Sequence, residues 1–478
     1  MGDLLDAYTV LVLEAEPETD WAPELPVGII EGDCRDVLRE LPDACVQTVV
    51  TSPPYFGLRD YGTGEWSSGD ENCDHVKGEL RRGVNLANSV HLTRGGAKKI
   101  AEVGHVHYGA VCERCGAVRT DRQLGLEPTP AEFVDALVGV FREVRRVLRD
   151  DGTVWLNLGD SYASHDGGGW RDGNFPSSKG WEEHSARNRA GTYRAGGVKA
   201  KDLFGIPWMI AFALRDDGWY LRSDIVWSKP NPMPESVTDR PTKSHEYVFL
   251  LAKSRRYFYD AEAIRDEFVD ERNGRDGSKL TRVRNVGGRT DGFTTPNGWA
   301  PPPGRAGKNK RTVWTIPSRP FPGAHFATFP PALVEPCVLA GSSARGACER
   351  CGAPWQRVSE KSYRSGPTYK DAGDETTLTM GRNRNVTRLG DGIEVTTVGW
   401  EPTCECGAGV VPCVVLDPFA GAGTVGVVAG QLDRHFIGVE LKPDYAALAR
   451  DRITKEGRPG NRKHEPPKVL AGQMEMPT

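Results

Sequence analysis

The sequence predicts an α/β protein built on a mostly parallel sheet with helices on both faces. Three observations carry this. Short β-branched or aliphatic runs recur along the chain and end in turn residues, and stretches with helical spacing lie between them. The runs are also continuously apolar, as strands covered on both faces must be.

The expected strands lie in "PVGIIEGD" (26–33), "VQTVVTSPP" (46–54), "GTVWLNLGDS" (152–161), "RSDIVWSKP" (222–230), "EYVFLLAKS" (246–254), "PCVVLDPFAGAG" (412–423) and "RHFIGVEL" (434–441). A helix is expected over 131–152, with apolar residues at 133, 137, 140, 141, 144, 147 and 148, closing on Gly152. "PWMIAFALRDDG" and "DYAALARDRITK" read the same way. Residues 62–125, 164–200, 265–320 and 344–411 do not fit this scaffold and read as loops or insertions.

A chain of 478 residues exceeds one compact core. Its net charge of −4 advertises no global field for a polyanion, so any nucleic-acid surface is a local patch. The acidic start lacks the basic flank of a secretory signal, and no apolar run reaches the roughly 18 residues a membrane span needs. A cytoplasmic, reducing setting is therefore expected, without membrane contact. In that setting eleven cysteines argue for metal sites over disulfides.

"VVLDPFAGAGTVGVVAGQLDRHFIGVEL" reads as strand, glycine turn, helix and second strand. Gly421 and Gly423 let backbone approach a ligand where a Cβ would collide. Asp417 stands at a strand's C-terminal edge, the usual ligand position in an open α/β sheet. Glu440, ending the next strand, can accept both hydroxyls of a ribose. Gly421, Gly423 and Gly426 also satisfy GxGxxG, so a nicotinamide or flavin dinucleotide competes with another nucleoside cofactor. The carboxylate and proline before the turn suit a cationic or hydroxyl-rich ligand better than a pyrophosphate.

"DPFAGAGT" resembles the S-adenosylmethionine motif of amino-methylating DNA methyltransferases, and "TSPPY" (51–55) resembles their catalytic motif. With the catalytic motif first and the cofactor motif near the C-terminus, the chain resembles the circularly permuted β class of that family. The resemblance covers about 26–60, 131–260 and 321–450, and the insertions lie outside it. It implies a Rossmann-like, seven-stranded methyltransferase sheet and transfer of a methyl group to cytosine N4 or adenine N6 of a flipped base. Serine before Pro-Pro-Tyr favours cytosine.

The chemistry suits that stretch. An exocyclic aromatic amine is a poor nucleophile, because its lone pair is delocalised into the ring. Acceptors that draw its N–H groups out of plane restore the lone pair, and Ser52 Oγ and the Pro53 carbonyl are the natural pair. Pro53 and Pro54 have fixed φ and no N–H, so the acceptors have little freedom. Tyr55 offers a π-face to the base.

Other positions follow from the resemblance one at a time. Asp33 in "EGDCRDVL" matches the acidic residue at the cofactor's adenine, with a helix N-cap as the competing reading. His325 and Thr328 in "HFATFPPALV" match the segment closing over the methionine end. Thr51, Pro418, Phe419 and Thr424 complete the expected cofactor set. "LNLGDSY" places Asp160 and Ser161 beside the cleft, or in a strand-end turn. Trp227 and Lys229 are expected at the target pocket or the phosphates.

Cys348, Cys351, Cys404 and Cys406 make a CxxC…CxC set suited to a four-thiolate Zn2+ site. Cys73, His75, Cys112 and Cys115 make a Cys3His set, with His105 or His107 as substitutes for His75. "CERCGA" occurs in both. Both sites read as structural, since four protein ligands leave no open position, and metal removal is expected to unfold the insertions before it touches cofactor affinity. Cys34, Cys45, Cys337 and Cys413 read as buried apolar residues.

Between 272 and 311 basic residues dominate, Arg282, Arg284, Arg289, Lys308, Lys310 and Arg311 among them. That strip is expected to contact double-stranded DNA. The whole chain divides into a core part with TSPPY (1–61), zinc-binding insertion 1 (62–125), methyltransferase core (126–264), basic target-recognition region (265–320), cofactor-closing segment (321–343), zinc-binding insertion 2 (344–411), cofactor-binding core (412–456) and disordered tail (457–478). Rival readings are an RNA or protein amine methyltransferase and an inactive zinc-bearing DNA-binding protein. No nuclease motif is visible, so a restriction endonuclease acting on the same site would be a separate chain. Recognition sequence and oligomeric state are not legible.

Overall fold

A computed structural model describes residues 28–57, 64–70, 72–73, 112, 114–163, 198–199, 201–266, 308–319, 329–364 and 392–459. Within them, in chain order, lie β1 (Gly28–Glu31), α1 (Cys34–Glu40), β2 (Val46–Thr51), β3 (Glu65–Ser67), β4 (Val118–Thr120), α2 (Pro130–Val147), β5 (Leu148–Leu158), α3 (Ile206–Asp216), β6 (Tyr220–Ser228) and β7 (His245–Ala252). There follow β8 (Val313–Thr315), α4 (Pro331–Gly341), β9 (Ala347–Cys348), β10 (Trp355–Arg364), β11 (Gly392–Pro402), β12 (Val410–Val411), β13 (Val414–Asp417), α5 (Thr424–Gln431), β14 (His435–Glu440) and α6 (Pro443–Glu456).

One sheet organises the molecule, in the order β1-β14-β13-β2-β5-β7-β6-β8. The first five strands are parallel, and β7 runs antiparallel to β5 and β6. The sheet has eight strands against the seven expected, because Val313–Thr315 adds itself in parallel to β6. Every residue of β2 and β13 is buried; β13 is apolar up to Asp417, and the polar side chains Gln47, Thr48 and Thr51 of β2 are each hydrogen-bonded. Phe133, Leu137 and Phe141 of α2 join α1 and α3 in the core on one face. Residues of α4, α5 and α6 fill the other.

Helix α2 begins where its sequence dictates, with Thr129 Oγ1 accepting from Glu132 N and Pro130 in the first turn. It ends earlier than expected. The helix stops at Val147, the next residue opens β5, and Gly152 lies inside that strand. A Cβ at Gly152 would stand 2.5 Å from Leu148 Cδ1 and 2.9 Å from the Gln47 carbonyl. The glycine thus admits the irregular start of the β2–β5 pairing, where the register shifts between Val46 and Thr48.

Strand β13 pairs with β14 on one side and β2 on the other. Its neighbours thus come from opposite ends of the chain, and the sheet's order reverses between β13 and β2. A cleft opens there, beyond the C-terminal ends of the strands. Among the described residues no helix is long and apolar enough to cross a membrane.

Candidate active site

A cavity of about 410 Å³ occupies this switch point. Its walls include Ser52 to Tyr55 from the end of β2, Pro418 to Ala422 and Thr424 from the glycine turn, and Glu440 from β14. The two motifs are also joined directly: Thr51 Oγ1 donates to Asp417 Oδ1 at 2.6 Å. The Phe419 N–H donates to the same oxygen at 3.0 Å. Asp417 is 1 % exposed, and burial pushes its carboxyl up to about 7 against the pull of those two bonds.

The turn holds left-handed backbone at Gly421 (φ 52°) and Gly423 (φ 71°), where glycine avoids strain. Gly421 N donates to Glu440 Oε2 at 2.8 Å, and Lys442 N donates to Oε1 at 3.0 Å. Burial raises the Glu440 carboxyl above its ordinary value, while these bonds draw it back. Gly426 has another task, since a Cβ there would lie 2.4 Å from Ile453 Cδ1 and 2.7 Å from the Phe436 ring. The third glycine of GxGxxG therefore serves packing. Arg452 clamps the turn from α6, its Nη1 donating to the Ala422 carbonyl and Thr424 Oγ1, each at 3.0 Å.

Asp33 lines the cavity and caps α1, accepting from Arg35 N at 2.9 Å. Its oxygens also take the Arg35 guanidinium and, at 3.0 Å, Arg122 Nε. Burial would raise this carboxyl, yet the two arginines hold it below its usual range. The competing N-cap reading is therefore what the geometry displays, with the side chain still at the cavity wall.

Around the turn after β2, the Tyr55 hydroxyl donates to Glu246 Oε2 at 2.7 Å and lies 3.3 Å from Asn157 Oδ1. Burial and the adjacent carboxylate keep that hydroxyl protonated far above its ordinary range. The Tyr55 ring lies on Gly159, where a Cβ would stand 2.5 Å from Cε2. Ser52 Oγ donates to Asn157 Oδ1 at 3.3 Å. Lys229 lines the cavity, pairs with Glu246 Oε1, and stands 4.2 Å from the Trp227 ring centroid.

Several expected residues lie elsewhere. Trp227 is 3 % exposed in the core, its Nε1 donating to the Ile316 carbonyl. Asp160 accepts from Gly205 N and Ile206 N and so caps α3, the strand-end turn reading of "LNLGDSY". Lys310 pairs with Asp266 at 3.0 Å. Lys308 exchanges backbone bonds with Asp266, whose carboxylate also takes the Arg311 N–H. His75, His105, His107, Arg282, Arg284, Arg289, His325 and Thr328 lie outside the described residues.

The sequence reading missed Asn157, Glu246, Arg122 and Arg452. A signal existed for two of them: Asn157 interrupts an apolar strand, and Glu246 opens another. For the arginines nothing local points to the site.

The cysteines cluster as two groups. Cys348, Cys351, Cys404 and Cys406 bring their sulfurs within 4.8 Å of one another, as do Cys73, Cys112 and Cys115. Cys73 and Cys112 Sγ are 3.8 Å apart, and a tetrahedral zinc with Zn–S near 2.3 Å has an S–S edge of about 3.8 Å. The donor sets thus fit zinc. Cys34, Cys45, Cys337 and Cys413 are buried, as expected.

A family model described as DNA methylase matches residues 46–348 and 413–451. The chain belongs to this N6/N4 DNA methylase family, and its activity is DNA amino-methylation with S-adenosylmethionine as donor. Among its relatives, the Type II methyltransferase M.Cfr9I of Citrobacter freundii is 34% identical over 433 residues, covering 90% of this chain and 88% of that protein. The Type II methyltransferase M.SmaI of Serratia marcescens is 33% identical over 430 residues, covering 89% and 90%. A solved structure titled PvuII DNA methyltransferase (cytosine-N4-specific) has a TM-score of 0.40 at 13% identity, covering 92% of this chain and 93% of that one, an overlap too loose to carry an argument.

Proposed function

We propose that this chain is a site-specific DNA methyltransferase acting on cytosine N4, with adenine N6 as the alternative target. The observation that carries the reading is the single cavity walled by both motifs and bridged by Thr51 and Asp417. In it Glu440 takes the ribose hydroxyls, the Gly421–Gly423 backbone approaches the cofactor, and Asp33 borders the adenine. The donor supplies a sulfonium methyl group. Ser52 Oγ and the Pro53 carbonyl draw on the amine N–H groups of a base stacked on Tyr55. With the donor bound, the amine lone pair would form the new N–C bond as the C–S bond breaks, the bonding pair leaving on sulfur as a neutral thioether and the displaced amine proton passing to solvent. The preference for cytosine rests on Ser52 before Pro-Pro-Tyr.

The test is mass spectrometry of nucleosides from duplex DNA incubated with the protein and labelled cofactor. Labelled 4-methylcytosine is expected. Labelled 6-methyladenine would shift the target to the alternative, and no label in any base would overturn the reading.

Three further parts belong to it. The chain order of the two motifs supports a circularly permuted arrangement. Each cysteine cluster holds a structural Zn2+, the first completed by His75, so elemental analysis should find two per chain. The basic strip of 272–311, with Lys229, contacts the phosphates, so affinity for DNA falls steeply with salt. The Type II names of the relatives suggest a separate endonuclease reading the same sequence.

A further inference from the structure

We propose that Asn157 is a positioning residue that fixes the Ser52 hydroxyl as an acceptor, and that Glu246 fixes Asn157 in turn. The inference rests on the reading of Ser52 as a partner of the target amine. A hydroxyl can donate or accept, and to draw on an amine N–H its own proton must be placed elsewhere. Asn157 Oδ1, 3.3 Å from Ser52 Oγ, takes that proton.

An amide can usually turn over and present its NH2 group instead. Here it is held. Asn157 Nδ2 faces the Tyr247 carbonyl at 3.1 Å and Glu246 Oε2 at 3.3 Å, both acceptors. The reversed amide would set its oxygen against two acceptors and leave its NH2 aimed at Ser52. Glu246 is held by the Tyr55 hydroxyl on Oε2 and the Lys229 ammonium on Oε1. Backbone supports the arrangement: Thr51 pairs with Leu156 across β2 and β5, so Asn157 and Ser52 are the next residues along the two parallel strands. Asn157 is 5 % exposed, which shields these bonds from water. The chain of fixed directions runs from Glu246 through Asn157 to Ser52 and ends on the amine.

A double-mutant cycle tests it, reading single-turnover methyl transfer with saturating cofactor and DNA. Ser52→Ala should slow transfer strongly, and Asn157→Ala about tenfold, with cofactor dissociation constants unchanged. In the Ser52→Ala background Asn157→Ala should add nothing, a coupling of about tenfold or 1.4 kcal/mol. Equal losses from Asn157→Ala in both backgrounds would overturn the inference while leaving the Ser52 reading intact. Full activity in Ser52→Ala would overturn both.

Should Asn157→Ala fail to bind cofactor, Asn157→Asp decides. The introduced carboxyl would face Glu246, with Lys229 on the far oxygen of Glu246 and Lys243 bonded to the nearby Asp160 carbonyl. Tyr55 also reaches the acceptor oxygen. The protonated form keeps that acceptor and one of the amide's two donations, whereas the ionised form sets a carboxylate against Glu246 and the Tyr247 carbonyl and is pushed out of place. Activity relative to the unaltered protein should therefore rise as pH falls. An unchanging ratio across pH would overturn the proposal.

Discussion

Two pieces of this protein are spelled alike, and the difference between them lies in where each is docked. In both copies of "CERCGA" the first cysteine accepts from a glycine N–H, Gly116 to Cys112 at 2.9 Å and Gly352 to Cys348 at 2.8 Å. The first cysteine then donates to the alanine carbonyl, Cys112 to Ala117 at 2.7 Å and Cys348 to Ala353 at 2.8 Å. Both glycines are left-handed, at φ 73° and 68°. Local sequence thus sets local shape, and surroundings set the task.

The 348–406 cluster sits at the N-terminal ends of the central strands, away from the cavity. Gln47 of β2 donates to the Gly352 carbonyl at 3.0 Å and accepts from Val414 N at 2.6 Å, while Arg149 of β5 donates to the Cys351 carbonyl. Residues between α4 and β13 are thereby pinned to the strands they interrupt. The 73–115 cluster leads the other way. Beyond β4 the chain delivers Arg122, Gln123 and Leu124 to the cavity wall, and Gly125 packs on the turn after β2, where a Cβ would stand 2.9 Å from the Tyr55 carbonyl.

The largest expected effect separates the two clusters. Cys112→Ser should weaken cofactor binding and methyl transfer by at least about tenfold, because the segment it anchors forms the cavity wall. Cys404→Ser should lower thermal stability instead, leaving the dissociation constant of folded protein near that of the unaltered chain. Equilibrium dialysis with labelled cofactor and thermal melts, run together, check this, and equal losses of affinity would erase the distinction. For the pocket-side cluster this replaces the sequence-based expectation that metal loss spares cofactor affinity.

Next in size are the docking contacts. Gln47→Leu strands two buried backbone groups and should cost about 2 kcal/mol in denaturant unfolding, without changing methyl transfer by the folded fraction. Gly125→Val, which forces a branched residue to φ 96° against the Tyr55 carbonyl, should reduce transfer as well as stability. A Cβ at Gly116 would meet no atom within 4 Å, so Gly116→Ala should cost only the strain of left-handed backbone, about 1 kcal/mol, and Gly352→Ala, at a matching φ of 68°, should cost about the same. A large gap between these two would show that the knuckles differ internally after all.

The smallest effect is a pH dependence confined to the cavity end. Asp417 titrates near 7 in the folded chain, above its unfolded value of about 3.9. Its proton therefore stabilises the fold fully below pH 4, and that contribution is lost as pH rises through about 7. Asp417→Asn should flatten this part of the melting-temperature profile, whereas Gln47→Leu should shift the whole profile down without changing its slope.

Much of this was legible in sequence because strands buried on both faces write themselves as β-branched, largely apolar runs, with only a few polar residues such as Gln47 and Thr48 among them. The cavity residues that fall on strand ends, from Thr51 to Tyr55 and from Asp417 to Gly423, were legible for the same reason. The end of α2 was not, since Val147 and Leu148 are both fully buried, one by helix and one by strand, and periodicity cannot separate them. Arg122 and Arg452 were hidden more deeply. Each reaches its partner through the fold, Asp33 for the one and the Ala422 carbonyl for the other, and separation along the chain conceals the meeting.

The long register between β10 and β11, from Trp355 opposite Pro402 to Arg364 opposite Gly392, has a consequence for how the chain could be divided. A cut between those strands would yield one fragment bearing the tyrosine turn and another bearing the glycine turn, each with half of the four thiolates. Neither could methylate alone. Joined by the hairpin, the thiolates and the central sheet, the fragments would reconstitute a working enzyme, and DNA methylation would become a record of their encounter.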